Sequence, residues 1–237
     1  MTEPQPLLKK AKADIAWRAN LLLYASAQFV VLTIAAMFLY PGGAKYNLQS
    51  DRYLFFQNFF SDLGATTTYS GYSNLTSAIL FIIALSSVGT ALLTFSSSWR
   101  AIASSPATDR TWGYAAQVFA GLSGLCFIGI AATPWNLMLS AHNSFVKAAF
   151  SLLLGFLISL TYLQVRNHWQ KLYIVFNLLY LVVLGIYIWI LFYGPGLDTQ
   201  AGLEFQVAAQ KIIVYVSIVN LGLQALGIRR SLSATIR

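Results

Sequence analysis

The residues best suited to chemistry in this 237-residue chain are a few polar side chains that lie beside long apolar segments. Asp62 precedes one segment and Asn74 opens it, whereas His142 and Asn143 open another, with Lys147 one helical turn further on. Asn143 and Lys147 are four residues apart and therefore share one face of a helix. A carboxylate, an imidazole, an amide and an ammonium group at one depth are what a catalytic or binding site requires.

A second acid and a second amine stand at the start of the last apolar segment. Glu204 and Lys211 are seven residues apart, which places them on one helix face. The alternative is a structural role, in which Lys147 and Lys211 extend to the membrane surface and His142 caps a helix. The predicted ligand-binding set is Ser61, Asp62, Asn74, His142, Asn143, Lys147, Glu204 and Lys211.

The acid–base chemistry available to this set is limited. If the site is catalytic, His142 is the candidate general base and Asp62 is the group that orients it. Ser61 is an awkward nucleophile for a triad because it directly precedes Asp62 in the chain. No metal or cofactor is predicted, since the chain has two His and one Cys and lacks the usual phosphate-binding, hydrolase and zinc motifs.

The composition indicates which elements must position these residues. The chain is 57% hydrophobic and 9% charged, whereas a soluble domain carries about 25% charged residues. Six apolar runs are long enough to cross the roughly 30 Å hydrocarbon core, and they must be helical because lipid offers no partner to an unpaired backbone group. We therefore predict an all-α bundle of six transmembrane helices, at about 20–40, 74–95, 113–133, 144–165, 172–193 and 205–228.

The bundle is predicted to be a single membrane domain that covers residues 1–237. Ala116, Ala120 and Gly124 recur at four-residue spacing in the third run, a pattern that permits close helix packing. No internal repeat is found, so the inverted-repeat architecture of many transporters is not supported.

The positive charges indicate how the helices are oriented. If the runs alternate across the membrane, eleven Lys and Arg residues share the side of the termini, and only Lys45 and Arg52 lie in connections on the other side. Positive charge is retained in the cytoplasm, which predicts a multi-pass protein of the cell membrane with both termini inside. The net charge of +8 is assigned to these connections and not to nucleic-acid binding. The eleven are Lys9, Lys10, Lys12, Arg18, Arg100, Arg110, Arg166, Lys171, Arg229, Arg230 and Arg237.

The first connection is long and rich in aromatic residues. Its middle, residues 46–63, is predicted to form a short helix at the outer membrane interface, ended by Gly64. Two interpretations stay open, an aromatic belt at the interface or a lid over an outward cavity. The residues that could share its apolar face are Leu48, Phe55, Phe56, Phe59, Phe60 and Leu63.

Several short motifs resemble a known family. The run from Phe60 to Gly64, followed by Asn74, then by Ala132-Thr133-Pro134 and His142, resembles a prokaryotic six-span membrane family of unknown function. That family is in turn distantly similar to the Frag/DRAM/Sfk membrane proteins. The resemblance implies six spans and no established activity. A fainter similarity to the alkaline ceramidase superfamily implies zinc hydrolysis, but this chain lacks the histidines and one span.

Three classes of function remain open. The first is a membrane protein that binds a lipid headgroup or small amphiphile in an outward-facing polar pocket. The second is a membrane-embedded lipid hydrolase or transferase that uses His142 and Asp62. The third is a small-solute transporter, for which Gln117 and Asn177 are weak candidates at mid-membrane. The predicted partner is membrane lipid, and a homo-oligomer is left open.

Overall fold

A computed structural model of the protein describes residues 5–102 and 107–234, with side chains described for 9–98 and 108–230. Six long helices make up most of this part of the chain, and each contains a segment long and apolar enough to cross a membrane. The predicted all-α, six-span bundle is therefore confirmed. The helices are α1 (Gln5–Leu39), α2 (Leu75–Ile102), α3 (Ala107–Ala132), α4 (Trp135–Arg166), α5 (Lys171–Tyr193) and α6 (Gln200–Ala234).

The six helices form a closed ring. Each helix packs against its neighbours in the sequence, and α1 packs against α6 to complete the circle. One end of the ring, the loop end, carries residues 40–74 (the first loop), the α3–α4 turn and residues 194–199. The start of α1 and the end of α6 lie at the opposite end, the terminal end. Of the positive charges counted there, the Arg100 side chain and Arg237 lie outside the described residues.

A close helix contact joins α2 and α3 through two glycines. A Cβ atom built on Gly124 would lie 2.6 Å from the Gly89 carbonyl oxygen, and one on Gly89 would lie 2.6 Å from the Gly124 carbonyl oxygen. Ala116 and Ala120 on the same face of α3 are fully buried. The small-residue stripe of the third run is therefore a packing surface, as its spacing predicts.

The fourth helix begins earlier than its hydropathy indicates. The apolar run starts near residue 144, but α4 starts at Trp135 directly after Pro134, and its backbone departs from helical angles at Met138. The polar residues Asn136, His142 and Asn143 lower the hydropathy of this stretch without ending the helix. As a result His142 lies inside α4, two turns from its start.

The predicted helix of the first loop is present but short. It is a 3-10 helix of five residues, Phe60–Gly64, and Ala65 caps its end. The preceding stretch is held in turns because the Asn58 side chain accepts a hydrogen bond from the Leu54 backbone N–H (2.9 Å), which competes with helix formation. Phe60 and Leu63 are buried, whereas Leu48 and Phe56 are exposed, so the predicted apolar face is divided between the bundle and the surface.

A row of buried amides joins α4, α5 and α6 nearer the terminal end. Gln164 donates to Gln224, and Gln224 donates to the Asn220 side chain. Asn220 in turn donates to Asn177 (3.1 Å), which donates to the Thr161 hydroxyl (2.6 Å). Such hydrogen bonds hold helices together where lipid offers no alternative partner.

We expect Gly124→Ala to lower the thermal midpoint in detergent. The added methyl group meets backbone on the facing helix, and overpacking of this kind costs about 1–3 kcal/mol. Gly185→Ala is the matched control, because a Cβ at Gly185 has no atom within 4 Å. Equal midpoints for the two variants, measured by thermal unfolding of the purified protein, would contradict the close α2–α3 contact.

Candidate functional site

Asp62 lies at the centre of the first loop and is buried, with 1% of its surface exposed. Its Oδ2 oxygen accepts two hydrogen bonds, from the Asn58 side-chain amide (3.0 Å) and from the Phe59 backbone N–H (3.0 Å). Both donors belong to the loop that contains Asp62. The carboxylate therefore stabilises the conformation of the loop, and its Oδ2 oxygen is already hydrogen-bonded within the protein.

Burial decides the protonation behaviour of this carboxyl group. Removal from water raises the pKa of Asp62 from its usual 3.8 to about 6, against the opposing effects of the Asn58 amide, the Lys211 charge, the Phe59 N–H and the Trp135 indole. The indole is the weakest of these, and neither its nitrogen nor Asp62 Oδ1 has a well-formed hydrogen bond within the described residues. The charged carboxylate thus depends mainly on Asn58 and Lys211.

Lys211 of α6 binds the first loop to the helix bundle. It is 3% exposed, and its Nζ donates to the Tyr53 hydroxyl (2.6 Å) and to the Asn58 carbonyl (2.7 Å). The same Nζ lies 4.4 Å from the centre of the Phe60 ring, 5.0 Å from that of Tyr53 and 5.3 Å from that of Phe55. Lys211 therefore does not extend to the membrane surface, because oxygen acceptors and aromatic faces surround its ammonium group.

Asn58 links the acid and the amine. Its side chain donates to Asp62 while its carbonyl accepts from Lys211, so the two charges interact through one fully buried residue without a direct ion pair. Burial and the Asp62 charge raise the pKa of the Tyr53 phenol, which stays protonated and donates to the carbonyls of Asn58 (3.0 Å) and Phe59 (2.9 Å). We call Tyr53, Asn58, Asp62 and Lys211 the cap network.

Two further predicted residues also support the first loop. Asn74 is buried, and its amide donates to the carbonyls of Asp62 (3.2 Å), Leu63 (3.1 Å) and Ala65 (2.8 Å). Glu204 accepts from the side chains of Gln57 (3.1 Å) and Gln200 (2.9 Å). These contacts bind the loop to the starts of α2 and α6, and they leave neither side chain directed at a cavity.

Asn143 and Lys147 lie away from the rest of the predicted set. Both are exposed on the outside of the bundle, and the Lys147 Nζ sits 5.0 Å from the centre of the Phe192 ring on α5. The shared helix face that their spacing predicts is real, but it points outward. The eight residues therefore do not converge on one pocket, because helix rotation separates positions that share a depth.

A cavity lies inside the ring beneath the first loop. Its volume is about 60 Å³, and its wall is apolar except for Ser61, His142, Gln210 and Ser217. Along α4 it runs from His142 to Leu153, a length of about 16 Å at the usual helical rise. Its apolar lining is Phe29, Phe60, Phe81, Leu85, Val88, Phe127, Ile130, Val146, Phe150, Leu153, Val214, Ile218 and Leu221.

His142 is held by the turn between α3 and α4. Its Nδ1 lies 2.7 Å from the Thr133 carbonyl oxygen, which cannot donate, so Nδ1 carries the hydrogen. The imidazole therefore caps the end of α3 and not the start of its own helix. Asp62 forms its hydrogen bonds elsewhere, so the Asp62–His142 hydrogen bond that the catalytic hypothesis requires is not formed.

Gln210 and Ser217 are cavity residues that the sequence reasoning missed. Gln210 Oε1 accepts from the Phe60 backbone N–H (2.7 Å), and the Ser217 hydroxyl accepts from Tyr180 (2.6 Å). A signal was present, because Gln210, Ser217 and Gln224 follow one another at seven-residue spacing along one face of α6. The sequence pattern selects Lys211 because it is charged, although its uncharged neighbour Gln210 is the residue that lines the cavity.

Comparison with protein-family models, with curated proteins and with solved structures finds no match to this chain. The resemblance to a six-span family of unknown function therefore stays a prediction. Within the described residues, no group of three or more His, Cys, Asp and Glu side chains could bind a metal ion.

We expect Lys211→Met to destabilise the protein strongly, whereas Lys147→Met, the matched control, leaves it unchanged. Removing one member of a buried charged pair leaves the other uncompensated and costs about 3–5 kcal/mol. Lys147 is exposed and is not part of a buried charged pair. Thermal unfolding of both variants in the same detergent is the measurement. Similar midpoints for Lys211→Met and wild type would rule out the cap network as an anchor.

Stability is expected to fall as the pH rises from about 4 to about 6, because of Asp62. In this window the folded protein still holds a proton that the unfolded chain has released, since the folded pKa is about 6 and the unfolded value is 3.8. The shift corresponds to about 3 kcal/mol. Asp62→Asn removes this ionisation, so its thermal midpoint should change less over the same window. Parallel curves for the two proteins would contradict the assignment.

Proposed function

We propose that the protein binds an amphiphile from the membrane, with the apolar tail in the central cavity and the polar group beneath the first loop. The observation that carries this proposal is the distribution of polarity in the cavity wall. Three polar side chains, Ser61, His142 and Gln210, lie at the loop end, and Ser217 is the only polar residue deeper in the apolar part of the wall. A pocket with few, well-placed polar groups in an apolar wall is the usual form of a small-molecule site.

The loop end is proposed to face away from the cytoplasm. The excess of Lys and Arg on the side of the termini supports this orientation, with both termini inside and the protein in the cell membrane. The cavity would then open towards the outer leaflet, and the first loop would separate it from the aqueous phase.

Binding is favoured over hydrolysis by the environment of His142. A general base needs its second nitrogen oriented by a partner, and here the Thr133 carbonyl fills that position in place of a carboxylate. Ser61 and His142 line the same cavity, but the acid of the proposed pair supports the first loop. Nothing in this arrangement stabilises the imidazolium that proton abstraction from Ser61 would create.

Binding is also favoured over transport. Transporters commonly place interrupted helices at mid-membrane, whereas α4 departs from helical geometry only at Met138, close to the loop end. Asn177, the mid-membrane candidate, is satisfied by the Leu157 carbonyl, Thr161 and Asn220. The amide row therefore joins α4, α5 and α6, and the Asn177 side chain has its hydrogen bonds within the protein.

We expect Val146→Trp to reduce the lipid that co-purifies with the protein several-fold. Val146 lines the cavity, so the larger side chain occupies space that the tail requires. Val214→Trp, from the facing helix α6, should have the same effect. Val182→Trp is the control, because Val182 is 62% exposed on the outside of α5.

The measurement is native mass spectrometry with lipid extraction from each variant in one mild detergent. Thermal midpoints and elution profiles show which variants are folded. If the folded cavity variants retain as much lipid as Val182→Trp, the cavity does not hold the lipid and the proposed function is wrong.

A further inference from the structure

We infer that the ligand of this cavity is an uncharged amphiphile whose polar group is a hydroxyl, such as a mono- or diacylglycerol or a long-chain alcohol, and not a phosphate-bearing lipid. This inference rests on the proposed function and assigns its ligand class. It follows from which side chains face the cavity and which of their hydrogen-bonding positions are still free.

The cavity wall carries no formal charge. None of its lining residues is Asp, Glu, Lys or Arg, and the only ionisable one is His142. His142 is 5% exposed, and no carboxylate of the described residues lies within ion-pair distance of it. A buried imidazole without an acidic partner is stable in its neutral form.

The charged groups nearest the cavity are directed away from it. Asp62 follows the lining residue Ser61, and Lys211 follows the lining residue Gln210, yet both charges are engaged in the cap network. Phosphate groups are bound by Arg or Lys side chains, or by free backbone N–H groups at helix starts. A phosphate in this cavity would have neither a free ammonium nor a guanidinium group to contact.

Helix starts do not compensate for the missing cations. The first lining residues of α2 and α6 are Phe81 and Gln210, each more than one turn beyond the start of its helix. At those positions the backbone N–H groups are already engaged within the helix. The cavity therefore offers an anion no backbone binding site at the starts of α2 and α6.

The free hydrogen-bonding positions match a hydroxyl group. With Nδ1 donating to Thr133, the neutral His142 presents Nε2 as an acceptor, and Gln210, whose Oε1 accepts from Phe60, presents its amide as a donor. Neither position has a partner in the described part of the chain, and Ser61 adds a hydroxyl that serves in either role. A hydroxyl both donates and accepts, whereas an ionised phosphate or carboxylate oxygen only accepts and would face the Nε2 lone pair unfavourably.

The test compares two photoreactive probes with the same acyl chain, a monoacylglycerol and a lysophosphatidate. Each is cross-linked to the purified full-length protein in detergent, and the labelled peptides are identified by mass spectrometry. We expect the monoacylglycerol to label cavity residues and the lysophosphatidate to label them about tenfold less, since the phosphate would be buried without a counter-charge. Val146→Trp should abolish the cavity labelling.

A variant of His142 tests the recognition itself. His142→Asn keeps a donor where Nδ1 meets the Thr133 carbonyl but removes the Nε2 acceptor, so the turn between α3 and α4 is preserved. Labelling by the monoacylglycerol should fall about tenfold, which is the effect of losing one hydrogen bond in a buried site. The thermal midpoint should stay near that of the wild type.

The possible failures are distinguishable. Labelling by the lysophosphatidate that equals or exceeds that of the monoacylglycerol and is lost in Val146→Trp would overturn the ligand class but keep the proposed function. A folded His142→Asn variant with unchanged labelling would also overturn it, because the acceptor would then have no role. If neither probe gives labelling that Val146→Trp removes, both the ligand class and the proposed function fail.

Discussion

The position of the first loop depends on one buried ammonium group. Lys211 lies in a helix of the bundle with 3% of its surface exposed, where an unpaired charge is costly. Two oxygen acceptors, three aromatic rings and the nearby Asp62 carboxylate offset that cost, and all of them belong to the first loop. The loop therefore supplies the partners of the buried charge in α6, and α6 supplies the group that positions the loop. Because the loop covers the end of the ring, the same contacts hold it over the cavity.

In two pairs of adjacent residues near the first loop, the uncharged polar residue lines the cavity and the charged residue does not. In the loop, Ser61 faces the cavity while Asp62 faces the cap network, and in α6 the same holds for Gln210 and Lys211. Successive side chains differ in direction by about 100° in an α-helix and about 120° in a 3-10 helix, so one residue of each pair can face the interior while its neighbour does not. The charged side chains thereby join the loop to α6 without entering the cavity, and the uncharged groups are left for recognition.

The sequence predicts the spans well and the site only in part. Hydropathy finds all six helices because lipid imposes a minimum apolar length, and it misplaces only ends such as that of α4, where polar residues continue a helix. Polar residues near the membrane correctly mark Asp62 and Lys211 as unusual. Their shared depth does not reveal the rotation of each helix, which turns Lys147 outward. The shared depth also does not reveal the role of Asn58, which contacts both Asp62 and Lys211, two charged residues that are distant in sequence.

The order of the helices around the ring has a consequence for biosynthesis. The first loop is translated early, but its anchor lies 158 residues beyond Tyr53, in the last helix. Chains are synthesised from the amino terminus, so Asp62 and its neighbours emerge from the ribosome long before their partner exists. The nascent chain must therefore hold this loop unanchored until α6 enters the membrane beside α1. Anchoring of the first loop thus coincides with closure of the ring, because both require α6.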